Sequence, residues 1–240
     1  MRLPVVFLHG WGQSGQIWQR QRDVFPDATF LNLPGHGGTP DASDWIKAIA
    51  GQLPESPCII IGWSLGGMIA MQLAIKFPEK VAALALVSTT PCFCMKNGWK
   101  HGCSNELLQT FKSGIETNAE KTMRRFFALM FQGDGISRQA CNDIARIAFD
   151  RANPATEAGL RRGLEQLEQL DLRRQLSQIM QPALVMHGEK DAVVPCRAGR
   201  QLARSLPNSS WHPIMHCGHA PFLSQTEIFN EALEAWCHTI

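Results

Sequence analysis

Apolar residues along this 240-residue chain cluster in short, dense runs, separated by longer stretches in which polar and apolar positions mix. Residues 5–8, 29–33, 58–62, 81–87, 183–187 and 210–215 are too short for helices and mostly β-branched or aliphatic, so they predict strands. Residues 15–23, 43–52, 65–77, 197–205 and 226–238 carry helical patterning. This alternation predicts an α/β protein with a mainly parallel sheet of about six strands and helices on both faces.

The alternation breaks between residues 91 and 172. Strand signals vanish there, and amphipathic helical patterns take over, as at 121–132 and 154–169. The expected organisation is a core of residues 1–90 and 173–240 with a helical lid, 91–172, inserted between two core strands. Such an insertion would stand above the carboxyl ends of the strands, the crevice in which open parallel sheets bind ligands. Internal repeats and low-complexity linkers are absent from the sequence.

Composition narrows the classes further. With 45% hydrophobic and 18% charged residues, the chain reads as globular rather than disordered. No apolar run reaches the roughly 18–20 residues of a membrane helix, so no membrane partner is expected. The run from Met1 to Leu8 is short, meets His9-Gly10-Trp11-Gly12 at once and lacks a small-residue cleavage site. It reads as a buried strand rather than a signal peptide, and the expected location is the cytoplasm. A formal net charge of +2 is too small to point to nucleic acid. The eight cysteines form no C-x-x-C pair and are expected to be small buried hydrophobes, with Cys92, Cys94 and Cys103 as the one cluster. No metal or cofactor is expected.

The candidate chemistry centres on Gly62-Trp63-Ser64-Leu65-Gly66. A buried strand precedes it and an apolar helix follows, the context in which G-x-S-x-G forms a nucleophile elbow. A serine hydroxyl needs a base, and the base needs an acid to hold its tautomer. In this arrangement the partners follow in the order serine, acid, histidine. Asp191 follows the strand at 183–187, and His219 follows the strand at 210–215. Glu189 is the rival acid, and an aspartate in G-x-x-D is by itself an ordinary turn residue or cap. His216 and His219 lack further ligands at metal-binding spacing. Oxyanion donors are expected from the amides of Leu65, directly after the serine, and Trp11, in the loop after the first strand. His9 and His36 read as structural.

In order, H-G-W-G, P-G-H-G, G-W-S-L-G-G, G-x-x-D and G-H-A-P-F resemble the α/β-hydrolase superfamily over essentially the whole chain. Trp63, Trp11, Pro91-Cys92-Phe93 and His219-Ala220-Pro221-Phe222 are similar more narrowly to BioH-type pimeloyl-[acyl-carrier protein] methyl ester esterases of biotin synthesis. That resemblance implies a monomeric serine carboxylesterase with Ser64, Asp191 and His219 as its triad, acting on an acyl ester carried by an acidic acyl-carrier protein. It also implies an acyl channel lined by Phe126, Phe127, Ala128, Leu129 and Met130. A basic lid face would help the carrier dock, and Lys121, Arg124 and Arg125 fall at i, i+3 and i+4, with Arg138 nearby. Glu116 and Glu120 dilute that face. Two features depart from the pattern: the chain enters its first strand without preceding antiparallel strands, and the segment 95–103 is unusual. The alternatives are a general carboxylesterase or other small-metabolite hydrolase, and a ligand-binding module built on a retired pocket.

Overall fold

The computed structural model describes residues 3–240. Met1 and Arg2, part of the N-terminal run read as non-cleaved, lie outside the described residues. The first half of the chain runs through β1 (Val5–Leu8), β2 (Thr29–Leu31), helix α1 (Trp45–Ala50), β3 (Cys58–Trp63), α2 (Leu65–Lys76) and β4 (Val81–Val87). Three helices follow, α3 (Asn105–Met130), α4 (Arg138–Ala148) and α5 (Glu157–Gln169). The chain then completes β5 (Ala183–Gly188), α6 (Cys196–Ser205), β6 (Ser209–Ile214), the short α7 (Pro221–Ser224) and α8 (Thr226–Cys237).

The six strands form one sheet in the order β2-β1-β3-β4-β5-β6, and every neighbouring pair is parallel. Central strands of such a sheet are covered on both faces, which is why they read as unbroken apolar runs. β3 and β5 are buried at every residue, whereas the edge strands β2 and β6 stay half open. Pro213 lies in β6, where a missing backbone donor is tolerated because the strand is an edge. Ten of the twelve residues of α2 are buried, so this helix is apolar all round. Against β1, Phe7 packs on Trp18, Phe25 and Phe30, and Trp18 packs in turn on Phe222.

Strand order reverses between β1 and β3: the chain winds outward from β1 to β2, then returns to the other side of β1. Loops leaving β1 and β3 therefore part at this point and open a crevice at the carboxyl edge.

Most element ends fall within two residues of the sequence-based expectation, and the differences have local causes. The second strand was expected to run to residue 33, but its ladder ends at Leu31, and the Leu33 amide donates to His9 Nε2 at 2.9 Å instead. The helix expected over 15–23 is a 3₁₀ segment, Gly15–Gln21, with Trp18 off helical geometry. α1 starts later than expected because Asp44 caps it, its Oδ1 accepting from the amides of Ile46 and Lys47. α5 starts at Glu157 rather than 154 because Thr156 Oγ1 caps it, accepting from the Gly159 amide at 3.0 Å.

The larger difference is between β4 and β5. The helix expected over 121–132 is the second half of a 26-residue α3, kinked at Asn118 (φ −161°, ψ 92°). Asn118 Oδ1 accepts from the Lys121 amide and so caps the second half. The first half of α3 and the whole of α4 were not anticipated. Before α3, the unusual segment folds back on itself through backbone β-bridges between residues Cys94 and Cys103 and between Lys96 and Trp99, and the buried Trp99 indole donates to Cys92 O at 2.8 Å. All eight cysteines are free thiols; Cys58, Cys92, Cys94, Cys103 and Cys217 are buried. Among the described residues no helix is long and apolar enough to cross a membrane.

Candidate active site

Ser64 stands between β3 and α2 with φ 54° and ψ −118°, a conformation a side-chain-bearing residue enters only under constraint. The constraint is steric. A Cβ on Gly62 would lie 2.6 Å from Gly66 O, and one on Gly66 would lie 2.5 Å from both Leu8 O and His9 O. Hydrogen bonds complete the hold: the Ser64 amide donates to Val87 O at 2.9 Å, and Thr89 Oγ1 donates to Ser64 O at 2.7 Å. Strain of this kind costs roughly 1–3 kcal/mol and persists where the surroundings over-determine it. Leu65 opens α2, so its amide is among the first-turn donors with no partner inside the helix.

The loops after β5 and β6 bring Asp191 and His219 together. His219 Nδ1 lies 2.8 Å from Asp191 Oδ2, and both side chains are fully buried. Asp191 Oδ1 accepts from the amides of Val193 and Val194, each at 2.8 Å. A second histidine joins them: His187 Nε2 donates to Val194 O at 2.8 Å and lies 3.1 Å from Asp191 Oδ2. Burial alone would raise the Asp191 carboxyl, but the charge of His219 and hydrogen bonds from His187 and His219 outweigh it. The carboxyl is held well below the usual carboxylate range. Glu189, the rival acid, is exposed and accepts from the His216 amide.

His219 is gripped through its backbone as well. Its amide donates to Met130 O and its carbonyl accepts from the Trp63 indole, both at 2.8 Å. Its Nε2 is buried and has no hydrogen-bond partner. With Nδ1–H directed at Asp191, Nε2 carries the lone pair and can accept a proton.

The loop after β1 is set by two neutral histidines. His9 Nδ1–H donates to Gly10 O at 2.8 Å, and its Nε2 accepts from Leu33. His36 Nδ1–H donates to Pro34 O, and its Nε2 accepts from the Gly12 amide at 3.2 Å. Burial, reinforced by the facing His36 ring, pushes His9 down to about 3. Burial likewise pushes His36 down to about 4. A Cβ on Gly10 would lie 3.1 Å from Ser64 Cβ, so this loop presses against the serine. Trp11 follows directly, and its indole donates to Leu160 O of α5 at 2.8 Å.

Beside Ser64 is a narrow cleft with almost entirely apolar walls. Trp11, Val193 and Ser64 come from the loops of the sheet; Phe93, Leu108, Phe111, Phe126, Leu164 and Leu167 come from the chain between β4 and β5. Of the run 126–130 expected to line an acyl channel, Phe126 alone is in this wall. Phe127 turns to Phe131 and Phe149, Ala128 is exposed, Leu129 is half-buried, and Met130 contributes its carbonyl to His219. The helical phase explains the result: only one or two of five successive positions face one side. Leu164 and Leu167, three apart on α5, were detectable as a stripe; Leu108 and Phe111 lie on the unanticipated half of α3.

Lys121, Arg124 and Arg125 are exposed on the second half of α3, and Arg138 is exposed at the start of α4. Glu120 pairs with Arg124 at 2.7 Å, and Glu116 lies 3.6 Å from Arg161, so neither acid is paired with Lys121 or Arg125.

Residues 4–226 match the family model described as alpha/beta hydrolase fold. The chain is 36% identical over 238 residues to a pimeloyl-[acyl-carrier protein] methyl ester esterase of Aromatoleum aromaticum, covering 94% of each chain. It is 34% identical over 241 residues to the protein of the same name from Nitrosomonas europaea, covering 96% of this chain and 94% of that one. In fold it is similar to the esterase EaEST from Exiguobacterium antarcticum, with a TM-score of 0.88 at 22% identity over 98% of this chain and 92% of that one.

Proposed function

The chain belongs to the alpha/beta hydrolase family as an esterase of that fold, and from this premise we propose that it cleaves the methyl ester of a pimeloyl chain carried on acyl-carrier protein, in biotin synthesis. The observation that carries the acyl-transfer chemistry is the 2.8 Å bond between Asp191 Oδ2 and His219 Nδ1, with His219 Nε2 left free.

In this reading Ser64 Oγ attacks the ester carbonyl while His219 Nε2 takes its proton. Asp191 orients the imidazole and stabilises the imidazolium that forms. The Leu65 and Trp11 amides hold the oxyanion, each worth roughly 2.7–4 kcal/mol of barrier. As the tetrahedral intermediate collapses, His219 returns the proton to the departing methoxide, and methanol leaves. Water, deprotonated by His219, then releases the acid from Ser64. No step calls on a metal or cofactor.

Substrate choice is assigned to the segment 91–172, acting as a lid. Its apolar wall suits a methylene chain, each buried CH₂ contributing about 0.8 kcal/mol. The exposed cations Lys121, Arg124, Arg125 and Arg138 are assigned to docking of the acidic carrier.

The test is growth without biotin of a bacterial strain lacking its own pimeloyl ester esterase. Rescue by this chain and not by its Ser64→Ala form is the expected result. Failure of the native chain, expressed as folded protein that still hydrolyses simple methyl esters, would leave a general carboxylesterase.

A further inference from the structure

One buried acid near His219 takes no part in the chemistry above. Asp134 closes the turn after α3, is 7% exposed, and has no hydrogen bond of good geometry on either carboxylate oxygen. The Ser224 hydroxyl and the Gly218 amide lie beside it. Its Oδ1 sits so close to Gly218 that a Cβ there would collide with it, and would also lie 2.6 Å from Met130 O. Gly218 directly precedes His219, whose amide donates to that same Met130 carbonyl at 2.8 Å. The turn from Met130 to Asp134 therefore meets the His219 loop twice, once by a hydrogen bond and once by close packing of a carboxyl group.

A buried carboxylate with only two poorly aligned donors beside it is costly, and a purely structural position would carry an amide or an apolar side chain more cheaply. Titratable groups face it from several elements: Asp191 after β5, Cys217 and His219 after β6, and Cys141 on α4. The Lys190 side chain packs over neighbouring Gly133. His219 itself is faced by Asp191, with His187 behind that carboxylate. Burial raises the Asp134 carboxyl, the Ser224 hydroxyl and the Gly218 amide offset part of this, and the Asp191 charge adds to the rise while His219 opposes it. Burial pushes the Cys217 thiol up to about 12, so it adds no charge near neutrality.

We infer that Asp134 is a positioning residue acting through His219: its negative charge, supplied from the turn after α3, favours the imidazolium formed when Ser64 loses its proton. The inference rests on the proposed roles of Ser64, Asp191 and His219. It gives the segment between β4 and β5 a part in the reaction beyond lining the cavity, because base strength then depends on a residue that this segment contributes.

The experiment is the pH dependence of kcat/KM on a short p-nitrophenyl ester for the native chain, Asp134→Asn, Asp134→Ser and His219→Ala. Removing a negative charge beside an imidazole disfavours its protonated form. The acid limb of the Asp134→Asn profile is therefore expected to move to lower pH by about half a unit or more. Activity above the limb should fall several-fold, and Tm should not drop, since a poorly compensated buried charge has been removed. Asp134→Ser removes the charge with a smaller side chain and serves if the asparagine form does not fold. An acid limb left at its native position in a folded variant overturns the inference. Hydrolysis retained by His219→Ala would overturn the underlying reading instead, so the two failures are separable.

Discussion

The loops of the sheet and the helices between β4 and β5 meet at one cavity but are held in different ways. Around Ser64 the constraints are backbone against backbone: a side chain on Gly66 would strike two carbonyls of β1 and its loop, and one on Gly10 would strike Trp63 and Ser64. Ser64, Asp191 and His219, the proposed reactive groups, follow within five residues of strands that are paired residue by residue with their neighbours. The helical segment supplies six of the nine cavity-lining residues. Its polar ties to the core are scattered: Leu160 O to the Trp11 indole, the Thr156 amide to Gly35 O, Arg162 to Ala42 O and Asp41, and Met130 O to His219. A frame set by backbone geometry holds reactive atoms to fractions of an ångström, while walls of side chains can change size without moving those atoms. This division lets one core serve many substrates.

The sharpest way to break the comparison is at the serine. Ser64→Ala, and separately His219→Ala, should lower kcat for ester hydrolysis on the order of 10⁴-fold or more, with the double variant no worse than either. Near-additive losses in single-turnover assays would mean that the two residues do not act as one unit.

A smaller effect separates the two regions by pH. His9 and His36 are buried neutral in the loops of the sheet, pushed down to about 3 and about 4. The unfolded chain takes up these protons first, near the ordinary histidine value, so stability is full above that value. It falls as the pH drops towards the folded-state values. Between pH 7 and pH 5 each should cost roughly 2 kcal/mol, at about 1.4 kcal/mol per pH unit. Urea unfolding midpoints at the two pH values measure this. His36→Gln, which keeps an acceptor for the Gly12 amide, should remove about half of the slope.

The smallest effect belongs to the surface of α3. Lys121→Glu combined with Arg125→Glu should lower kcat/KM several-fold on carrier-bound ester, leave a free methyl ester unchanged, and flatten the salt dependence of the carrier reaction. Equal losses on both substrates would remove this face from docking and assign it to the fold.

Read as sequence, the core was largely legible. The runs of β1, β3, β4 and β5 stood out because a strand buried on both faces announces itself without reference to its neighbours, while the more mixed runs at 29–33 and 210–215 fell on the half-open edge strands β2 and β6. Gly62, Ser64 and Gly66 pointed to a turn whose geometry depends on residues only a few positions apart. The order of Ser64, Asp191 and His219 was equally local, each following a strand, and the 2.8 Å contact between the last two follows from β5 and β6 being adjacent. Glu189 could not be set aside in this way, because only the folded loop shows it turned to the His216 amide.

The helical segment was legible only in part. Amphipathic patterning reported that helices were present at 121–132 and 154–169; Leu108, Phe111 and Ile115 and the face of α4 carry a similar spacing that went unread, and Asn118 looks like a break rather than a cap joining two halves of α3. Which of Phe126 to Met130 faces the cavity depends on the rotation of α3 against α5 and Trp11, a quantity set by packing between elements far apart in sequence. The pairing of His9 with Leu33, of Trp11 with Leu160 and of Asp134 with the His219 loop is of the same kind. The sequence by itself determined the fold class, the strands, the sharp turn at Ser64 and the chain order of the proposed catalytic residues, because short-range sterics and hydrophobic period act along the chain. The cavity wall, the supports of His219 and the place of Asp134 were decided only by tertiary structure, because they arise from contacts between segments that the chain order does not bring together.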